Sequence, residues 1–178
     1  MIGAYPGTFD PPTIAHVAIA EAAVGQCGLE RLDLVVNATP IGKDGARSVE
    51  ERTALLDAVA APRPWLRVVR TGHRLLADIA AGYDVLVLGA DKWAQVVDPR
   101  YYGSPAERDA AVARLPRLAV APRRGHPVPD GCVLLDVDLP DVSSTAARAG
   151  DHTVIAPEVR RLLAGRHADD GDRPPTPR

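Results

Sequence analysis

The sequence predicts an α/β protein, a single domain on a doubly wound parallel sheet. Three observations point there. Apolar runs and helix-patterned segments alternate along most of the 178 residues, as a parallel sheet with crossover helices requires. Several apolar runs are unbroken, "DVLVLG" at 84–89 among them, which suits strands buried on both faces. Alanine and valine dominate the apolar fraction and aromatics are only 4%, favouring helices packed closely on a sheet over an aromatic-rich sandwich.

Taken in order, Ile2–Tyr5 is a short apolar strand that runs into the turn "PGTFD". Pro11 and Pro12 set a rigid entry to a helix over Ile14–Val24. Leu32–Asn37 is the second strand. "SVEE" at 48–51 reads as a capping box, Ser48 and Glu51 exchanging hydrogen bonds ahead of a helix over Val49–Ala60. Further strands are expected at Trp65–Arg70, Asp84–Leu88, Arg117–Ala121 and Val133–Val137. Helices are expected at Arg74–Ala80, Pro105–Leu115, Ser144–Ala149 and Pro157–Leu163. "RHADDGDRPPTPR", from Arg166, is charged, proline-rich and nearly devoid of large apolar groups, so the domain is drawn as 1–165 and 166–178 as a disordered tail.

Composition narrows the function classes. A net charge of −2 gives no global field for nucleic acid or acidic membranes. No apolar run reaches the ~18–20 residues that span a bilayer. Cys27 and Cys132 are neither a metal-spaced pair nor a disulfide framework, which suits a reducing, cytoplasmic setting. The oligomeric state stays open, a homo-oligomer included.

Ligands of a doubly wound sheet bind outside the carboxyl ends of its strands, where the strand order reverses. Two strand ends here carry small, backbone-exposing residues, "PGTFD" and "LGADKW", and both are expected at one crevice. In "GTFDPPTIAH", 7–16, Gly7 is expected to let the backbone approach a ligand, with Thr8 and Phe9 completing the turn. Thr13 and His16 share one face of the first helical turn, whose amides and dipole favour an anion. The alternative is that Thr13 caps the helix and His16 packs. "VSSTAAR", 142–148, sets Ser143, Ser144 and Thr145 at a helix start with Arg148 one turn on, a phosphate-binding pattern or ordinary capping. Lys43 and Arg47 lie in a glycine-containing loop that either closes over a charged ligand or is solvated. Gly89 and Asp91, with Lys92, lie at the fourth strand end, to bind ligand or cap the next helix. Trp93, Tyr101 and Tyr102 stack on a ligand ring or pack.

Together these segments resemble the nucleotidyltransferase superfamily with (H/T)xGH and SSTxxR signatures, over roughly residues 1 to 165. "LGADKW" and "APRRG", 121–125, look most like nicotinate-nucleotide adenylyltransferases. Two departures stand out: Ala15 occupies a family glycine, and the tyrosine–threonine segment expected after the third strand is replaced by "RTGHRLLADIA". The resemblance implies a Rossmann-like fold and transfer of the adenylyl group of ATP to a phosphate-bearing acceptor, nicotinate mononucleotide first, with pyrophosphate released. It implies His16, Lys43 and Arg148 as catalytic. Nucleotide contacts would come from Gly7, Thr8, Phe9, Thr13, Gly89, Asp91, Ser143, Ser144 and Thr145. Mg²⁺ would be carried on the phosphates rather than in a protein cage. Phosphopantetheine as acceptor, a cytidylyltransferase using CTP, and a nucleotide-binding regulatory module without turnover are the alternatives.

Overall fold

In a computed structural model, described for residues 1–38, 46–137, 144–148 and 151–171, the unbroken apolar runs form adjacent parallel strands. They are β1 (Ile2–Gly7), β2 (Arg31–Asn37), β3 (Leu66–Thr71), β4 (Val85–Gly89), β5 (Arg117–Ala121) and β6 (Val133–Leu134). Among the described residues these six strands pair in parallel throughout, in the order β3-β2-β1-β4-β5-β6. The chain winds outward from β1 to β3, returns to the middle at β4, and winds outward the other way. This is the doubly wound arrangement expected, and the β1–β4 junction is its switch point.

Helices cover both faces. α1 (Ile14–Cys27), α2 (Val49–Ala60), α6 (Ser144–Arg148) and α7 (Pro157–Gly171) enclose the larger core, with Leu32, Leu34, Leu55, Leu56, Val87 and Val159 buried in it. α3 (Leu76–Ile79) and α4 (Ala90–Val96) pack with Ala4, Val35, Leu86, Leu88 and Val120 on the opposite face. α5 (Pro105–Ala113) precedes β5. Val85–Leu88 bury their side chains on both sides, which explains the lack of polar alternation in that run.

Local signals set the helix ends. Ser48 Oγ accepts from the Glu51 amide at 3.1 Å and Glu51 Oε2 accepts from the Ser48 amide at 2.9 Å, so α2 starts with the expected capping box. Gly28, left-handed at φ 64°, ends α1, and Leu29 N donates to Val24 O across the cap.

Some element bounds differ from the expected ones. β6 is two residues long rather than five, because only Val133 and Leu134 pair with β5. α3 is a single turn, since Gly72 to Leu75 precede it without a side-chain cap. α4 follows β4 directly, where no helix was expected: "ADKWAQV" is too short to show periodicity. α7 continues to Gly171, because nothing between Leu163 and that glycine forbids helix except Gly165, which an established helix tolerates.

Candidate active site

The site grows from the end of β1. After Gly7 the chain turns at Phe9, which takes a left-handed φ of 50°, a conformation uncommon for a non-glycine residue. Phe9 is buried, and its ring lies over Gly7: a Cβ on Gly7 would meet three ring atoms at 2.7–2.9 Å. The missing side chain of Gly7 thus makes room for the Phe9 ring. Asp10 follows, 1% exposed, and the Asp10–Pro11 peptide is cis.

Thr13 is the N-cap of α1 and His16 its third residue, in a reciprocal capping arrangement. The Thr13 amide donates to His16 Nδ1 at 2.9 Å, and Thr13 Oγ1 accepts from the His16 amide. Nδ1 is thus an acceptor, and the neutral ring carries its proton on Nε2. Burial pushes the imidazole pKa down to about 4; the Arg123 guanidinium acts in the same direction and the Asp91 carboxylate partly opposes it. At neutral pH the ring is an uncharged N–H donor. Capping and donor geometry, alternatives in the sequence, are here the same contact: the cap aims the ring.

His16, Phe9 and Tyr5 form a packed aromatic group. Phe9 meets His16 edge-on at 5.0 Å between centroids and Tyr5 at 5.4 Å, and Tyr5 and His16 are 6.3 Å apart.

At the end of β4, Gly89 is the N-cap of α4 and Asp91 lies in its first turn without capping it through its side chain. A Cβ on Gly89 would sit 2.5 Å from Asp91 Oδ1, so this glycine lets the carboxylate fold back beside the strand end. Asp91 and Arg123, the latter just beyond β5, both act electrostatically on Tyr5 and His16. The ends of β1, β4 and β5 therefore border one space, as expected for the first two. Lys92 donates to Gln95 at 2.7 Å. Trp93 packs into the smaller core and Tyr102 donates to Val96 O at 2.7 Å, so both are packing residues, while Tyr101 is exposed.

The carboxyl-terminal motif docks onto the amino-terminal one. Ser144 Oγ donates to Pro11 O at 3.0 Å and Arg148 Nη1 to Asp10 O at 2.6 Å. Ala156 N donates to Pro12 O, and Thr13 bridges Ile155. Residues more than 130 positions apart thus share one loop. Lys43, Ser143 and the side chain of Thr145 lie outside the described residues.

Three residues of the support were not singled out as such in the sequence. Asp10 accepts from the Arg47 amide and forms an ion pair with the Arg47 guanidinium. Arg52, 1% exposed on α2, donates to the carbonyls of Thr8, Asn37, Ala38 and Arg47, tying the β1 turn to the end of β2. An arginine buried at an apolar-periodic helix position is the one signal that marks it, and "EERTALL" carries it.

Residues 4–150 match the cytidylyltransferase-like family. The chain belongs to that family. Among curated relatives, a protein of Neisseria meningitidis serogroup B described as a "probable nicotinate-nucleotide adenylyltransferase" is 29% identical over 184 residues, 97% of this chain and 92% of its own. One of the same description from Listeria innocua is 41% identical over 84 residues, but that match spans only 43% of this chain and 45% of the Listeria protein. The phosphopantetheine adenylyltransferase of Paracoccus denitrificans is 36% identical over 96 residues, 49% of this chain and 56% of its own. As a cytidylyltransferase-like protein the chain places its histidine motif and its serine–arginine motif side by side at the sheet's switch point. Among the described residues no helix is long and apolar enough to cross a membrane.

Proposed function

We propose that this protein is an adenylyltransferase that joins ATP to a phosphate-bearing acceptor, nicotinate mononucleotide first. The observation that carries the reading is the neutral His16 donor, fixed by the Thr13 amide at the β1–β4 switch point and bordered by Arg123. The Neisseria relative, matched almost end to end, supports the choice of acceptor.

An oxygen of the acceptor phosphate attacks the α-phosphorus of ATP. The bond from that phosphorus to the bridging oxygen breaks, and pyrophosphate leaves with the electron pair. The acceptor is already a nucleophile, so the chain's task is alignment and charge stabilisation. His16 Nε2–H would donate to an oxygen on which negative charge grows, a donor that costs no reorganisation because Thr13 fixes its ring. Arg148 and Ser144, with Ser143 and Thr145, would hold the leaving β- and γ-phosphates, and Lys43 would neutralise charge between acceptor and α-phosphate. Asp10, Arg47 and Arg52 position the turn rather than react.

A divalent cation such as Mg²⁺ would screen the phosphate charge when bound. Asp10, the buried carboxylate of the turn, is engaged by Arg47, so the fit is to an ion carried by the nucleotide. Phosphopantetheine is the second acceptor, favoured by Thr13 in the first motif and by the Paracoccus relative.

The test is pyrophosphate release, with ATP and CTP each offered nicotinate mononucleotide, nicotinamide mononucleotide and phosphopantetheine. Release with ATP and nicotinate mononucleotide at the highest kcat/KM is the expected result. Binding of ATP without release for any acceptor would mean a regulatory module instead.

A further inference from the structure

Tyr5 is the one member of the aromatic group that neither motif assigns. It lies on β1, beneath the turn, and is only 5% exposed. Its ring packs edge-on against Phe9 and at a tilt against His16. Among the described residues nothing hydrogen-bonds its hydroxyl. Among the described residues the fully buried side-chain atom without a partner is Glu158 Oε2, so the Tyr5 hydroxyl, buried as its ring is, reaches open space. Phenylalanine would fill the ring's volume equally well, so a polar oxygen placed at that opening calls for a reason.

The surroundings supply one. Asp91 and Arg123 lie two residues past the ends of β4 and β5, at the same edge of the sheet as the β1 turn, and the Tyr5 and His16 rings pack 6.3 Å apart beside them; both charges act on the phenol and on the imidazole. Burial holds the phenol protonated, with Asp91 adding to the effect and Arg123 opposing it. The hydroxyl is therefore a neutral donor throughout the physiological range. Among the described residues, Tyr5 O–H, His16 Nε2–H and the Arg123 guanidinium are donors around that space, and the Asp91 carboxylate is an acceptor. Such a set selects an anionic oxygen.

From this juxtaposition we infer that Tyr5 is a ligand-binding residue, its hydroxyl donating to a phosphate oxygen of the bound nucleotide beside His16. The inference rests on the proposed function for the identity of the nucleotide. It adds a contact on the strand itself, where the backbone is rigid and the donor is set before the ligand arrives.

Tyr5→Phe is the test, because it keeps the ring and removes one oxygen. ATP affinity is measured by calorimetry on the wild type and the variant, along with melting temperature and the KM for ATP in pyrophosphate release. The expected result is ATP affinity weakened about ten- to hundredfold, as for a hydrogen bond to a charged group, with a melting temperature unchanged or slightly higher. Equal ATP affinity in the two proteins overturns the inference while leaving the proposed function standing. A melting temperature lowered by several degrees with ATP affinity unchanged overturns it too, since the hydroxyl would then serve the fold. A wild type that binds no ATP refutes the proposed function, and the inference falls with it.

Discussion

His16→Ala separates chemistry from packing because the structure assigns a magnitude to each. The substitution removes the acceptor of the Thr13 amide, half of the α1 capping box, at about 1 kcal/mol. It also removes the edge-on contact to Phe9, worth about 1 kcal/mol more. A loss of roughly 2 kcal/mol lowers the melting temperature of a domain this size by about 4–8 °C. The chemical effect is of another order. A fixed donor aimed at developing charge contributes about 10²–10³ in rate, or roughly 3–4 kcal/mol. Single-turnover rate per folded molecule and melting temperature, measured on the same protein, report the two separately. His16→Asn can return an acceptor to the Thr13 amide and should recover most of the stability. His16→Gln reaches further, toward the position of Nε2, and should recover more of the rate. A lowered melting temperature with an unchanged rate would refute the reasoning and remove the main support for an enzyme.

The same ring has a pH signature. Unfolded, it takes a proton near 6.5; folded, near 4. Between those values the unfolded chain binds more protons, so stability falls as pH drops through this window and His16 contributes no slope above it. From pH 7.5 to 5 the wild type should lose about 2 kcal/mol more than His16→Gln in denaturant unfolding. Equal losses would show that the folded ring is not kept neutral.

Four further outcomes are expected. Arg52→Ala strands four carbonyls inside the protein and should cost about 3–5 kcal/mol, with little recovery in Arg52→Lys, because an ammonium cannot span three backbone segments; a melting shift under 3 °C would contradict this. Gly7→Ala should destabilise by about 1–3 kcal/mol through the Phe9 ring, and Gly7→Ala/Phe9→Leu should lose less than the two single changes summed, which a double-mutant cycle reads directly. Arg148→Ala should raise the KM for ATP about ten- to hundredfold and spare that of the acceptor, Arg148→Lys recovering part; the reverse pattern assigns the arginine to the acceptor. Deleting 168–178 should leave melting temperature and turnover nearly unchanged, since that stretch has little apolar surface to bury; a fall of several degrees would move the domain boundary.

The turn "GTFDPPTIAH" was legible because its signals are local: small residues at a strand end, prolines, and two side chains three apart at a helix start. The same holds for the α2 capping box and for the unbroken β4 run. The weak elements were legible only in part. α4 is too short to display a period, and of the strand expected at Val133–Val137 only the two residues that pair with β5 are kept.

By itself the sequence determined the order of the strands and of the helices other than α4, the two motifs, and the helix caps that short-range hydrogen bonds impose. Only the tertiary structure decided that Ser144 and Arg148 rest on the carbonyls of Pro11 and Asp10, and that Gly7 is a glycine for Phe9. The physical reason is range. Caps and periods act over three or four residues, whereas the neutral state of His16, the burial of Arg52 and the unpartnered hydroxyl of Tyr5 depend on groups that come together only when the sheet is assembled.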